Sequence, residues 1–547
     1  MAQTKISRRG FIAAAGMAAT ALAWNYPRIS AGSGRKAPHG NQPVVVIGAG
    51  LGGLTCAAYL AKAGWPVTVV EQHSVPGGYA TAFERAGGRF SFEVSLHGTA
   101  IRNNTPARIL DELGVLDKIQ LVPLPETYRI KDAAGELAIP QSDPEGFIQA
   151  LCRRFPQEAT GIRGFVNEIL AVHGEVEKYG QTSSAMKKFS KPMFPVLYPR
   201  MWKVRAQTLA DLLAAHVQSP ELRGRLSFLW PYYGLPPAQL SGFQYAVATG
   251  EYLKSGSYYI KQRSQRLSDA LAGAVTSAGG RILYDTAAEK IHLENQAISG
   301  VRLSDGQVLP ARVVVSNASA PTLFGQMLPQ GSVPAEYLRK LSTYRPSISS
   351  FQVWLGLKES IRGKIEGYST ALACSATPEA HYAKAMRGDI EAVDYSVCLY
   401  DNLFEGYSAP GTSTLTILAL SGYAPWQAFE EDYRAGRKAA YRAQKAHWTE
   451  TLIRRAEKDL LPGLQSMIEV QEAGTPLTHW RYTGNPQGAI YGFEQSMENA
   501  FMNRIKNRTP IEGLYLAGAW GNPGGGYAGV LRGGQLAFEQ IMEDWSA

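Results

Sequence analysis

Short, uninterrupted apolar runs closed by glycine recur along this chain. Val44–Ile47 is four apolar residues followed by Gly48, and it reads as a buried strand. A helix-like stretch follows, and then a second run, Val67-Thr-Val-Val70, ends on Glu71. The run Val313-Val-Val-Ser316 and the run Leu514-Tyr-Leu516 have the same character. Before the third run, Gly300-Val-Arg-Leu-Ser-Asp305-Gly306 predicts a β-meander. The pattern predicts strands separated by helices, hence α/β architecture with a parallel sheet. No run approaches 18 apolar residues, so no transmembrane helix is expected.

The first two runs enclose a nucleotide-binding unit. Gly48, Gly50 and Gly53 form G-x-G-x-x-G directly after a strand and at the head of a helix that includes Leu51 and Gly52. The first glycine permits a tight turn. The second admits a pyrophosphate, and the third lets helix pack on strand. The helix N-terminus favours the negative charge. Glu71 stands where an acid accepts hydrogen bonds from ribose hydroxyls and repels a 2′-phosphate.

Gly77-Gly78-Tyr79-Ala-Thr81 follows at once. This arrangement resembles FAD-binding oxidoreductases of the glutathione-reductase-like superfamily, in which a second glycine pair passes close to the flavin. Near the other end stands Gly513-Leu-Tyr-Leu-Ala-Gly518-Ala-Trp520, then Pro523-Gly-Gly525-Gly526-Tyr527-Ala-Gly529-Val530. That tail resembles the C-terminal flavin motif of the phytoene desaturase family, which includes carotenoid isomerases and retinol saturases. Further blocks at Gly256–Gln265 with Ala278–Ile282, Gly300–Ala318 and Gly474–Gly492 agree with it. The resemblance spans roughly residues 43–540. It implies a Rossmann-type FAD-binding domain with an inserted α+β substrate domain. The cofactor expected is non-covalent FAD, held by Gly48, Gly50, Leu51, Gly52, Gly53, Glu71, Gly77, Gly78, Thr81, Gly518, Gly525, Gly526, Tyr527 and Val530. The flavin domain is expected to be discontinuous, at 43–115, 255–325 and 475–547. Residues 116–254 and 326–474 are expected to form the substrate or lid domain.

Two departures stand out. The family usually reads Phe-Asp-x-Gly-x-His where this chain has Phe92-Glu93-Val-Ser95-Leu-His97. It often has Pro-x-Gly-Gly where this chain has Ile260-Lys261-Gln262-Arg263. Both segments line the flavin and substrate region in relatives.

Composition narrows the picture. At 45% hydrophobic and 18% charged residues, the 547-residue chain is ordinary for a globular protein with more than one core. The net charge of +9 is modest, and no nucleic-acid motif accompanies it. Cys56, Cys152, Cys374 and Cys398 form no C-x-x-C and no zinc spacing, so no metal site and no disulfide-reductase chemistry are expected. Ser7-Arg8-Arg9-Gly10-Phe11-Ile12, followed by an alanine-rich stretch, resembles a twin-arginine export signal over 1–31, with 32–42 as linker. Cleavage is expected after Ala23 or Ala31, and the enzyme is expected outside the cytoplasm. Residues 183–205 interleave six Lys or Arg with Met, Phe, Leu, Tyr and Trp, and hold no acid. Pro192, Pro195 and Pro199 preclude one long helix. The segment reads either as a membrane-surface contact or as a basic flap over the substrate site.

Three residues are candidates for catalysis. His97 follows the second flavin block, and histidine titrates near neutrality. Glu93 is placed to pair with flavin-side backbone or with Arg89, and Tyr527 opens the final helix. Trp520, Arg481 and Tyr482 are candidate pocket walls. Beyond the C-terminal glycine turn, where Gly524, Gly526 and Gly529 share the spacing, no second G-x-G-x-x-G marks a separate NAD(P)H domain, so a diffusible quinone, oxygen or protein is the expected electron partner, unless the reaction is redox-neutral. The resemblance implies an oxidoreductase for a hydrophobic polyene or isoprenoid, by desaturation, saturation or cis–trans isomerisation. An amine oxidase-like flavoenzyme using oxygen and a non-catalytic flavin-bearing protein are the alternatives.

Overall fold

The computed structural model describes residues 42–545, except 142, 183–185, 187–190 and 501–502. The expected export signal and all but the last residue of the linker lie outside the described residues. Two sheets organise the rest. The first has five parallel strands in the order Leu514–Leu516, Val313–Ser316, Val44–Ile47, Val67–Val70, Arg281–Leu283. Its central strands are buried at every residue, which explains their continuous apolar runs. The helix Leu51–Lys62 makes the crossover between Val44–Ile47 and Val67–Val70. A three-stranded antiparallel meander, Ala288–Glu294, Ala297–Leu303 and Val308–Pro310, lies before the return strand Val313–Ser316.

Glycines let the first and last helices of this unit touch. The helix Tyr527–Trp545 lies against Leu51–Lys62, with Tyr59 stacked on Phe538 at 5.0 Å. A methyl group on Gly534 would strike the Gly52 carbonyl oxygen, and one on Gly52 would sit 2.5 Å from the Gly518 nitrogen. Gly52 and Gly518 therefore serve close backbone packing beneath the nucleotide site.

The second sheet has seven strands in the order Ile468–Gly474, Ser349–Leu357, Ser413–Ser421, Tyr395–Cys398, Ser369–Leu372, Glu126–Asp132, Gly135–Pro140. All pairs are antiparallel except Ser369–Leu372 with Glu126–Asp132. Ser349–Leu357 is buried along its whole length. The helices Ala159–Gln181, Gly242–Ser255 and Ala439–Asp459 contribute to the same apolar core. Among the described residues, no helix is long and apolar enough to cross a membrane.

The basic segment behaves as its prolines require. Its described part contains two short helices, Phe194–Leu197 and Pro199–Val204. Met201 and Val204 are buried. Met193, Val196 and Leu197 remain exposed, Val196 by 70%.

Candidate functional site

The loop between Val44–Ile47 and its helix is shaped by contacts within the protein. Gly48 adopts φ +93°, a region that favours glycine. A methyl group on Gly53 would collide with the Gly48 carbonyl oxygen, so the third glycine brings helix onto strand as its position implies. Gly50 has a different reason. Its added Cβ would lie 2.5 Å from Asn317 Nδ2. The Asn317 side chain fills the floor beneath Gly48, Gly50, Gly52 and Gly518, and its backbone amide donates to the Ile47 carbonyl at 2.9 Å. Asn317 escaped notice as a site residue, although its place just past a parallel strand beside Val44–Ile47 marks it. Gly50 is the N-cap of Leu51–Lys62, and no side chain caps that helix. Its first amides therefore stay available to a phosphate.

Glu71 is buried and faces this loop. One carboxylate oxygen accepts from the Ala49 amide at 2.7 Å, the other from the His73 amide at 3.0 Å. Each oxygen retains a lone pair for a ribose hydroxyl. Gly77 donates to the Ala49 carbonyl at 2.8 Å, which draws the second glycine pair against the first. Gly77 (φ +127°) and Gly78 (φ +60°) need their freedom, and a methyl group on Gly77 would meet Ser268 Oγ at 2.6 Å. Thr81 Oγ donates back to the Gly78 carbonyl at 3.1 Å and holds the loop.

The third wall is the final glycine turn. Gly524 and Gly526 have φ +123° and +84°. A methyl group on Gly525 would press on the Tyr491 backbone at 2.7 Å. The Val530 amide donates to the Gly526 carbonyl, which begins the helix Tyr527–Trp545, whose first-turn amides have no partner within the helix. Arg504 lies buried under the turn. Its guanidinium donates to the carbonyls of Gly521, Ala519 and Asn499 and to Gln495. Among the described residues no carboxylate pairs with it, and burial lowers its pKa to about 10. Arg504 too was missed, because its role depends on a loop that closes only in three dimensions.

The segment 93–97 joins these parts. Glu93 is buried, and five donors saturate its carboxylate: Ser264 Oγ at 2.5 Å, the Ser264 amide, Tyr259 Oη and the Ser95 and Leu96 amides. Burial raises its pKa, while those donors oppose the rise. The expected pairing with Arg89 does not form, because Arg89 binds Glu469 at 2.7 Å. Ser264 lies in the first turn of Arg263–Ser277, so Glu93 fastens a helix start and is a positioning residue. Ser95 stands where relatives have glycine. Its hydroxyl donates to the Tyr79 carbonyl at 2.7 Å and lies 3.1 Å from Tyr527 Oη. Tyr400 Oη donates to the Leu96 carbonyl at 2.9 Å.

His97 differs from expectation. It is buried, Nδ1 lies 3.4 Å from Tyr232 Oη, and burial lowers its pKa to about 4. It is neutral at pH 7 and does not titrate near neutrality, so its means of action is a hydrogen bond. Burial raises the Tyr527 phenol, which keeps its proton. Trp520 packs on Phe493 at 4.7 Å and donates to Asn485 Oδ1, inside a core. Arg481 and Tyr482 are exposed, and the Tyr482 carbonyl meets the His73 ring. These three are not pocket walls.

Arg263 explains the other departure. Its φ of +69° suits the glycine that relatives carry. Its guanidinium donates to the carbonyls of Ser91 and Tyr407 and lies 4.1 Å over the Tyr407 ring. Those contacts offset a backbone cost of about 1 kcal/mol. Gln262 accepts from the Gln120 amide, and with Lys261 and Phe404 both residues border an outer groove of about 880 Å³.

Tyr232 stands beside His97, with ring centroids 6.0 Å apart. Tyr491 touches the final glycine turn, and its ring lies against Gly234.

Comparison with known proteins agrees with this geometry. The model of the family "flavin containing amine oxidoreductase" matches residues 51–542. The rat all-trans-retinol 13,14-reductase is 26% identical over 87% of this chain and 81% of its own length. The prolycopene isomerase of Daucus carota is 25% identical over 91% and 80%. The neurosporene-forming phytoene desaturase of Rhodobacter capsulatus is 26% identical over 91% and 94%. Among solved structures, an oxidoreductase from Methanosarcina mazei superposes with a TM-score of 0.56, at 18% identity over 92% of this chain and all of its own.

Proposed function

This chain belongs to the flavin containing amine oxidoreductase family and is an FAD-dependent oxidoreductase, and from that premise we propose that it changes carbon–carbon unsaturation in a hydrophobic polyene or isoprenoid. What carries this reading is the likeness, over most of the chain, to a retinol reductase, a prolycopene isomerase and a phytoene desaturase, together with the first two glycine elements that the fold draws together. The relatives' names include a reductase, an isomerase and a desaturase, so the transformed bond is C=C or C–C in each. Bound FAD would supply a ring that accepts or donates hydride at such a bond.

The protein's own part is positional. Asn317, Glu71 and the start of Leu51–Lys62 would hold the ribose and pyrophosphate. The first-turn amides of Tyr527–Trp545 would face the negative charge that grows on the ring during reduction. Arg504, paired with no carboxylate among the described residues, adds positive potential behind that turn. Tyr527 and His97 offer neutral hydrogen-bonding groups at pH 7.

The same reading places the protein outside the cytoplasm, carried by the twin-arginine leader, with a quinone or oxygen as electron acceptor where the reaction needs one. Peripheral membrane contact through 183–205 would deliver an apolar substrate, and the exposed Met193, Val196 and Leu197 support it. The experiment is anaerobic incubation of the loaded protein with retinoids and carotenoids. A changed polyene chromophore supports the proposal. Flavin bleaching and ammonia release by amines, with hydrogen peroxide formed once oxygen is admitted and polyenes untouched, supports the amine-oxidase alternative.

A further inference from the structure

Lys261, Gln262 and Arg263, which depart from the family pattern, line the outer groove together with Phe404 and the hairpin residues Phe83 and Glu84. Its volume of about 880 Å³ is that of a small-molecule site. The Arg263 guanidinium is spent on the carbonyls of Ser91 and Tyr407. Lys261 is not spent. Its backbone amide donates to the Gln120 carbonyl at 2.9 Å, but its ammonium has no carboxylate or carbonyl partner among the described residues. It lies 5.6 Å from the centre of the Phe404 ring. The Glu84 carboxylate likewise has no cation against it among the described residues. The groove borders the second glycine loop at both ends. Val75 and Ala82 line it on either side of Gly77 and Gly78, and Val75 is 46% exposed. Gln265, also in the lining, donates to the Pro76 carbonyl at 3.1 Å and accepts from the Ala82 amide at 3.5 Å. That loop meets the first one through the Gly77 amide and the Ala49 carbonyl at 2.8 Å. A molecule in the groove therefore stands against the cofactor's own loops, at the protein surface.

A free ammonium beside an aromatic ring suits a planar ligand that carries oxygen acceptors. A plain hydrocarbon would leave Lys261 without a partner, and a polyanion such as a phosphate would meet Glu84 as well. A quinone suits the whole set. Its carbonyl oxygens would accept from Lys261, its ring would pack with Phe83 and Phe404, and its reduced form would offer hydroxyls to Glu84. We propose that this groove binds the quinone that reoxidises the flavin. In that step anionic reduced FAD gives up two electrons and one proton, solvent supplies a second proton, and the quinone leaves as the quinol. The proposal rests on the proposed reading for its class of electron acceptor and not for the substrate.

The test uses FAD-loaded protein reduced by light without oxygen, so that no polyene enters the measurement. The protein is mixed with 2,3-dimethoxy-5-methyl-1,4-benzoquinone, and the return of flavin absorbance is followed. The wild-type rate should saturate with quinone. Lys261→Met should raise the half-saturating concentration about tenfold, as loss of one hydrogen bond to a charged group would. Lys261→Arg should stay close to wild type, and Phe404→Leu should raise the concentration too. Reoxidation by oxygen should be alike in all these proteins, which separates a damaged flavin site from a damaged groove. Should Phe404→Leu lose its flavin, the two Lys261 variants decide. A wild-type rate that climbs in proportion to quinone without saturating overturns the inference. So does half-saturation untouched by Lys261→Met, or a Lys261→Met protein slowed equally toward oxygen. Each of these leaves the polyene reading standing. Polyenes left unconverted beside the predicted saturation would overturn that reading and leave the groove assigned.

Discussion

Tyr527 Oη lies 3.1 Å from Ser95 Oγ, and the phenol is the donor in that bond. The reason is that the Ser95 hydroxyl spends its only proton on the Tyr79 carbonyl at 2.7 Å. One serine thus ties the start of the final helix to the loop after the second glycine pair. Replacing Ser95 with Ala or Tyr527 with Phe should each cost about 1 kcal/mol of stability in the loaded protein. Ser95→Ala also loses the bond to Tyr79, so the double variant should cost little more than Ser95→Ala alone, which already removes the bond to Tyr527. Thermal unfolding followed by flavin release measures this, and strictly additive losses would contradict the bond.

Gly50 should tolerate no side chain, and the first obstacle is Asn317 rather than the cofactor. Gly50→Ala should abolish flavin loading. If the clash with Asn317 Nδ2 dominates, Gly50→Ala combined with Asn317→Ala should recover part of the loading. Absorbance of the purified proteins decides. A double variant as colourless as the single one would return the explanation to a collision with the pyrophosphate.

Acid should destabilise this protein in a defined window. His97 and His479 are both buried, and burial lowers each to about 4 from an ordinary 6.5. Between those values the unfolded chain binds protons that the native state refuses, so stability falls as pH drops from 6.5 toward 4. Each histidine contributes up to about 3 kcal/mol at the acid end. Unfolding midpoints in denaturant should decline over that range, and His479→Gln should flatten the slope. An unchanged slope would show that His479 is protonated in the native state.

The segment 183–205 predicts salt-sensitive binding to anionic liposomes. Neutralising Lys187, Lys188 and Lys191 should weaken co-sedimentation, at about 1 kcal/mol per engaged charge at low salt. Replacing Val196 and Leu197 with Ser should weaken it at high salt as well, since their exposed surface acts by burial. Wild-type protein that ignores such liposomes at low salt would make the segment a soluble flap.

The flavin-domain strands were readable because each is a short apolar run punctuated by glycine, as at Val44–Ile47 and Leu514–Leu516. The meander was readable from Asp305-Gly306. Which contact a glycine serves was not. Gly50 answers to Asn317, and Gly52 to Gly518, both far away in sequence. Glu93 was legible as a departure from the family pattern, but three of the five donors that fix it come from residues 259–264, far along the chain. His97 misled for a physical reason: its type implies titration near neutrality, and burial removes that property. The contact of His97 with Tyr232 was illegible, because the two residues lie far apart in sequence and meet only in the folded chain.

The most direct measurement is product analysis after anaerobic incubation of the FAD-loaded protein, oxidised and reduced in separate samples, with retinol and with carotenoid isomers. The account predicts that at least one polyene is recovered with altered unsaturation or altered double-bond geometry, and only in the presence of loaded protein. Recovery of every polyene unchanged, while a primary amine reduces the flavin and releases ammonia, would contradict it.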